Sequence, residues 1–256
     1  MAHYFLATGK AVRPGDDDCS FVSSRVFAVW QWIGGETVGN AFAPIVKDVL
    51  RSYDECLQHD HALTCIRSAG HQRRWRSEDG TDSWLRAAQL IYESSALAFR
   101  GGDPTDELRY VFDVITHAIA DVQQATRELG IGGLLTIVRP VPGGWVVANV
   151  GDCRAYHLSP RGMICVTEDD VVPKRRVFTR TVMRADQAPA EPHSTHVEAH
   201  PGDQLLVATH EIYQGKTDAQ LFALARYLTG NAAEDLTFPI TPAHSAAPVM
   251  MLLLAA

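Results

Sequence analysis

The spacing of apolar residues along the chain changes twice, and each change predicts a change of element. Val26 to Ile33 is almost unbroken apolar sequence ending at Gly34-Gly35, which reads as a strand. Two-residue alternation puts Val26, Ala28, Trp30 and Trp32 on one face and Phe27, Val29, Gln31 and Ile33 on the other, so the amide faces away from the indoles. From Val38 the spacing becomes three and four. Val38, Phe42, Ile45, Val46, Val49, Leu50, Tyr53 and Leu57 form one helical stripe, kinked at Pro44 or starting late there. A second helix is expected near Ser83 to Phe99. A third opens with Asp103 as cap and Pro104 in the first turn, carries Leu108, Val111, Phe112, Ile115, Ile119, Val122 and Leu129, and stops at Gly130.

Beyond Gly130 the period returns to that of strands. "GGLLTIVRPVPGGWVVANVGDCRAYHL" reads as strand, Pro-Gly-Gly turn, strand and, after Gly151-Asp152, a third strand, together a meander of neighbours. Strands are also expected at "GMICVTE", "THVEA" and "DQLLVATHEIY". A helix then opens with the capping box "TDAQ" and carries Leu221, Leu224, Ala225 and Leu228 to Gly230, and "PVMMLLLA" closes the chain as a last strand. Strands at both ends with helices grouped between them make the pattern α+β, not alternating βαβ.

Composition narrows the class. With 256 residues and 46% apolar content, one large domain with a substantial core suffices. A net charge of -7 argues against nucleic acid or anionic lipid as partners of the overall field. Five cysteines, Cys19, Cys56, Cys65, Cys153 and Cys165, form no C-x-x-C pair and fit neither a zinc site nor a disulfide framework, which suits a reducing cytoplasm. "MAHYFLATGK" lacks the features of a signal peptide and "PVMMLLLAA" is too short to span a bilayer, so no membrane association is expected. The segment His59 to Asp82 reads as an exposed insertion. Its Arg67, Arg73, Arg74 and Arg76 around Trp75 could dock a phosphate-bearing or acidic partner, although a solvated loop is the favoured reading. "KRR", Lys174 to Arg176, following "EDD", reads equally well as a mobile charged loop or as a solvated face.

"VANVGDCRAY", Val147 to Tyr156, resembles the V-A-N-V-G-D-S-R-A-Y of the protein phosphatase 2C family, the metal-dependent PPM-type serine/threonine phosphatases, and differs from it at Cys153. Other matches keep the family order. "VRPGDDDCSF" resembles R-x-x-N-E-D-S-F, "VFAV" before Gly34-Gly35 resembles F-A-V-A-D-G-M-G-G, "FTRTV" resembles T-R-A-L, and "PGDQLLVAT" resembles G-D-x-L-L-L-C-S-D-G. The resemblance spans residues 1–256 as a single domain, apart from an insertion around 58–103. It implies two packed antiparallel β-sheets flanked by helices, with a site for two Mn²⁺ or Mg²⁺ ions at one end of the sandwich.

Carried over position by position, Arg13 matches the phosphate-binding arginine, and Asp17 and Asp18 match the Glu-Asp pair. The metal-bridging D-G is Gln31-Trp32, and the family alanine before it is Trp30. The D-G of the S-D-G-L motif is His210-Glu211, and the D-N before the last strand is Ala246-Ala247. The T-T after the family glycine is Gly133-Leu134. Hard divalent cations want oxygen ligands, and alanine offers none. Two dications about 4 Å apart repel by on the order of 16 kcal/mol at an effective dielectric near 20, which bridging anions must offset and a glutamine cannot. The expectation is a catalytically inactive, pseudophosphatase-like binding or regulatory module with no catalytic residues and no cofactor. Its partner would be a protein, phosphorylated if Arg13 keeps its role.

The alternative is a divergent metal-dependent phosphatase in which Asp17, Asp18, Glu36, His210 and Glu211 rebuild a single-metal site for Mn²⁺, Mg²⁺ or a softer ion. Against it stands a simpler reading of His210 and Glu211 as local hydrogen-bonding residues at a strand-to-helix turn. A third reading assigns partner binding to an exposed Trp30 and Trp32 patch or to the basic insertion, with core filling the favoured role for the indoles. Cys153 reads as a small buried residue, and Asp152 and Arg154 as turn and strand-end structure.

Overall fold

The computed structural model describes residues 4–8, 20–33, 36–58, 103–126, 132–172, 177–182, 191–230 and 250–255. The expected helix near Ser83 to Phe99, the basic segment Arg67 to Arg76 and Lys174 to Arg176 lie outside them. The chain divides into two compact units, one of Met1–Gln31, Leu134–Arg180 and His193–Ala256, the other of Trp32–Gly133 and Thr181–Pro192.

The first unit is built on two five-stranded sheets. One holds β1 (Tyr4–Thr8), β12 (Met250–Ala255), β11 (Gln204–Ala208), β6 (Arg154–Ser159) and β7 (Gly162–Cys165), in that order. The other holds β10 (His193–Glu198), β5 (Gly144–Val150), β4 (Gly132–Val141), β3 (Phe27–Ile33) and β2 (Ser20–Val22). A two-residue turn joins β4 to β5, with Val141 opposite Gly144 and Gly143 in the left-handed region (φ 83°) that glycine favours. The expected meander stops there. β6 pairs with β11 and β7 in the other sheet, so the chain crosses between sheets at Gly151 to Cys153. Apolar spacing cannot report this, because β6 has the same pattern whichever sheet it joins.

The sheets pack face to face. Phe27, Val29, Val138, Trp145 and Val147 from one meet Ala155, Leu205 and Val207 from the other, and each full burial of such a side chain stabilises by about 1.5–3 kcal/mol. On the opposite face of the β11 sheet, Tyr156, Leu158, Leu206 and Ala208 pack with Ile212, Tyr213, Leu221 and Ala225. These last come from the short α3 (His210–Tyr213) and from α4 (Asp218–Gly230). The capping box that opens α4 is formed: Gln220 Oε1 accepts from the Thr217 N–H at 2.8 Å, and Thr217 Oγ1 from the Gln220 N–H at 3.3 Å.

In the second unit α1 (Glu36–Gln58) packs on α2 (Pro104–Thr126). Helix α1 begins before Pro44 and continues past it, which corrects the reading of Pro44 as a late start. A helix-interior proline costs about 3 kcal/mol. Burial of Phe42, Ile45, Val46 and Leu50 around it contributes more, at about 1.5–3 kcal/mol each. Asp103 caps α2 as expected, its Oδ1 accepting from the Thr105 N–H at 2.9 Å. Tyr53 donates to Glu107 at 2.8 Å across the buried helix contact. Short strands that apolar spacing did not suggest are β1, β2, β8 (Val171–Val172) and β9 (Val177–Phe178).

Candidate functional site

Where the chain leaves β5 for the other sheet, Gly151 is required twice over. Its φ of 106° is left-handed, and a Cβ there would stand 2.5 Å from Leu134 Cδ2. Its N–H donates to Asp170 Oδ2 at 2.9 Å, and its carbonyl accepts from the Asp170 N–H at 3.0 Å. The buried Asp170 also accepts from Arg180 Nε at 2.7 Å, and His193 Nε2 stands 3.4 Å away. On the inner face, Asn149 Oδ1 accepts from Thr136 at 2.6 Å, while its Nδ2 donates to the carbonyls of Gly151 and Glu168 at 3.3 and 3.2 Å. Bonds to charged groups are worth about 1.5–3 kcal/mol each, so the turn is held on both sides.

That turn presents Asp152, 5% exposed, to the residues that follow β11. The expected strand "DQLLVATHEIY" ends at Ala208, and His210 to Tyr213 form one helical turn instead. Residues three apart on a helix share a face. The rings of His210 and Tyr213 therefore meet edge to face, their centroids 4.9 Å apart. His210 Nδ1 lies 3.1 Å from Asp152 Oδ2 and 2.9 Å from the Tyr213 hydroxyl. Tyr213 has one proton to give and donates it to the Asp152 carbonyl at 2.6 Å. Its oxygen therefore accepts from His210, which puts a proton on Nδ1. Asp152 Oδ1 is buried and has no hydrogen-bond partner among the described residues.

Arg154, the first residue of β6, stacks on Tyr213 with its guanidinium 4.2 Å from the ring centroid. It grips Asp169 through two bonds of 2.9 and 2.6 Å. The bond to Asp169 holds the Arg154 proton more firmly than usual, and burial, then the Asp152 carboxylate, pushes the Tyr213 phenol up. Both groups stay protonated at any physiological pH.

Of the residues singled out from sequence, Gln31 is 8% exposed. Strand alternation puts it on the inner face with Phe27 and Val29, as predicted. Trp30 is fully buried and Trp32 half-buried, so the reading of an exposed patch made by both indoles is corrected. His210 sits beside Asp152 and makes local hydrogen bonds, as the simpler reading had it. Glu211 lies on α3 by its backbone. Arg13, Asp17, Asp18, Ala246 and Ala247 lie outside the described residues, as do the side chains of Glu36 and Glu211. Cys153 is fully buried, as expected. Tyr213, Asp169 and Asp170 were not singled out; reading "HEIY" as a helical turn would have placed Tyr213 beside His210.

No family model matches the sequence, and no curated protein matches it significantly. Solved structures do match. The chain superposes over 100% of its length on the catalytic domain of serine/threonine protein phosphatase PstP in complex with two manganese ions, covering 96% of that chain (TM-score 0.62, 16% identity). It also superposes on the serine/threonine phosphatase Stp1 from Staphylococcus aureus, at 0.63 and 18%, covering 100% of this chain and 94% of that one. The fold is that of the type 2C serine/threonine phosphatases. PppA, a regulatory component of the type VI secretion system in Pseudomonas aeruginosa, matches at 0.61 and 15%, covering 100% of this chain and 97% of that one.

On this phosphatase fold the described donors do not suit a pair of hard dications. Gln31 brings a neutral amide to the inner face, and His210 Nδ1 is hydrogen-bonded to Tyr213 with Asp152 Oδ2 3.1 Å away. Among the described residues no three His, Cys, Asp or Glu side chains cluster as an ion site, and no helix is long and apolar enough to cross a membrane.

Proposed function

We propose that this chain uses a type 2C phosphatase fold as a binding or regulatory module without phosphatase turnover. The observation that carries the reading is His210. In the sequence it takes the place of the metal-ligating aspartate of the S-D-G-L motif, and its Nδ1 is held by the Tyr213 hydroxyl at 2.9 Å and lies 3.1 Å from Asp152 Oδ2. Gln31 and Ala246 at the two other aspartate positions point the same way. The partner is a protein, carrying a phosphorylated residue if Arg13 keeps its anion-binding role. The test is hydrolysis of an aryl phosphate with excess Mn²⁺ or Mg²⁺, beside binding of phosphorylated peptides in chelator. Binding without hydrolysis is the expected result, and metal-dependent hydrolysis above the uncatalysed rate overturns it.

A second reading is favoured by one observation, the buried and unpartnered Oδ1 of Asp152. A carboxylate oxygen in that condition suits a cation, and a single-metal phosphatase site built with Asp17 and Asp18 would use it. Metal-dependent turnover abolished by Asp18→Ala is the outcome that selects this reading.

A further inference from the structure

The phosphatase fold brings the turn after β5 and the turn after β11 together, and in this chain the pair at that meeting point is a carboxylate and an imidazole. His210 Nδ1 lies 3.1 Å from Oδ2 of Asp152. The same Nδ1 donates at 2.9 Å to the Tyr213 hydroxyl, whose own proton is committed to the Asp152 carbonyl. Tyr213 is in turn fixed by burial in the apolar cluster of α3 and α4 and by the Arg154 guanidinium on its ring. His210 is therefore a side chain with a defined orientation, not a loose substitute. The second oxygen, Oδ1, is buried without a hydrogen bond among the described residues, so the pair is closed on one side and unsatisfied on the other.

We infer that His210 is a lock on a latent divalent-cation site: its imidazole, held by the Tyr213 hydroxyl, stands 3.1 Å from the Asp152 oxygen that would otherwise face a hard cation and fills the place such an ion would take. The inference rests on the reading of this fold as a module without turnover and names the residue that enforces it. Removing the imidazole clears Oδ2 of Asp152 beside the already unpartnered Oδ1, and an aspartate at position 210 adds a second carboxylate near the first. Hard dications favour such oxygen pairs over an imidazole whose Nδ1 proton is given to a phenol.

The experiment is calorimetric titration of Mn²⁺ into the full chain as wild type, His210→Asp and His210→Ala, with thermal unfolding followed at matched Mn²⁺ concentrations. The expected result is affinity raised by about tenfold or more in His210→Asp, by less in His210→Ala, and a Mn²⁺-dependent rise in melting temperature confined to the variants. If His210→Asp fails to fold, His210→Ala carries the comparison, since it adds no charge. Wild type binding Mn²⁺ as tightly as the variants, or no gain in any folded variant, overturns the lock. Neither outcome bears on turnover, which the aryl phosphate assay reads separately.

Discussion

Two histidine–aspartate pairs of equal length flank β11, and they have opposite characters. At its start His157 Nε2 lies 3.1 Å from Asp203, and just past its end His210 Nδ1 lies 3.1 Å from Asp152. Each aspartate follows a glycine in the left-handed region, Gly202 at φ 92° and Gly151 at φ 106°. Around Asp203 the chemistry is that of a turn lock: the same Oδ2 also accepts the His200 N–H at 3.0 Å, and Trp145 packs edge-on against His157. Around Asp152 one oxygen is engaged and the other is buried without a partner. The distance between two such groups does not by itself describe a pair; the hydrogen bonds made around it do.

The two glycines give the largest expected contrast. A Cβ at Gly151 collides with Leu134, whereas at Gly202 nothing lies within 4 Å. Gly151→Ala should cost about 2–5 kcal/mol in urea unfolding, strain and overpacking together, against about 1–2 kcal/mol for Gly202→Ala from strain alone. Equal costs would mean that the two turns are equivalent. Next comes removal of the carboxylates. Asp203→Ala should destabilise by about 2–3 kcal/mol and Asp152→Ala by about 1–2 kcal/mol, because the first leaves more donors unanswered.

The pH dependence of Asp203 is a smaller effect and its sign is fixed. The His200 N–H, and after it His157, holds this carboxyl below its ordinary 3.8 against the opposing effect of burial. The folded state thus binds the proton less tightly than the unfolded chain. The contribution is complete above the unfolded value and is lost as pH falls through the lower folded value. The stability gap between wild type and Asp203→Asn should stay level from neutral pH down to about 4 and close below it. Denaturant titrations at several pH values measure this directly, and a gap that grows on acidification breaks the assignment. Least of all should follow from Asp169→Asn, about 0.2–1 kcal/mol, since the Arg154–Asp169 pair is partly open to solvent, with side-chain exposures of 33% and 28%.

The candidate site was legible in part. His210 and Gln31 drew notice because they replace aspartates within otherwise recognisable motifs, a signal carried by residue identity alone. By sequence alone Asp152 reads as turn structure and Tyr213 as part of a strand. The Tyr213 hydroxyl and the Asp152 carbonyl are 61 residues apart, and nothing in the spacing of either segment announces the 2.6 Å bond. Phe42 and Gly133 show the same limit in packing. A Cβ on Gly133 would meet the end of the Phe42 ring, so a side chain there requires that ring to shift, yet each position looks ordinary alone.

Local chemistry was enough for the sequence to determine the caps at Asp103 and Thr217, the hairpin at Pro142-Gly143 and the faces of β3, because each depends on contacts within a few residues. The sheet that β6 joins, the length of β11 and the partner of His210 were decided by tertiary structure. A strand with two buried faces pairs wherever the core places an edge, and a buried donor takes the acceptor that packing brings within reach.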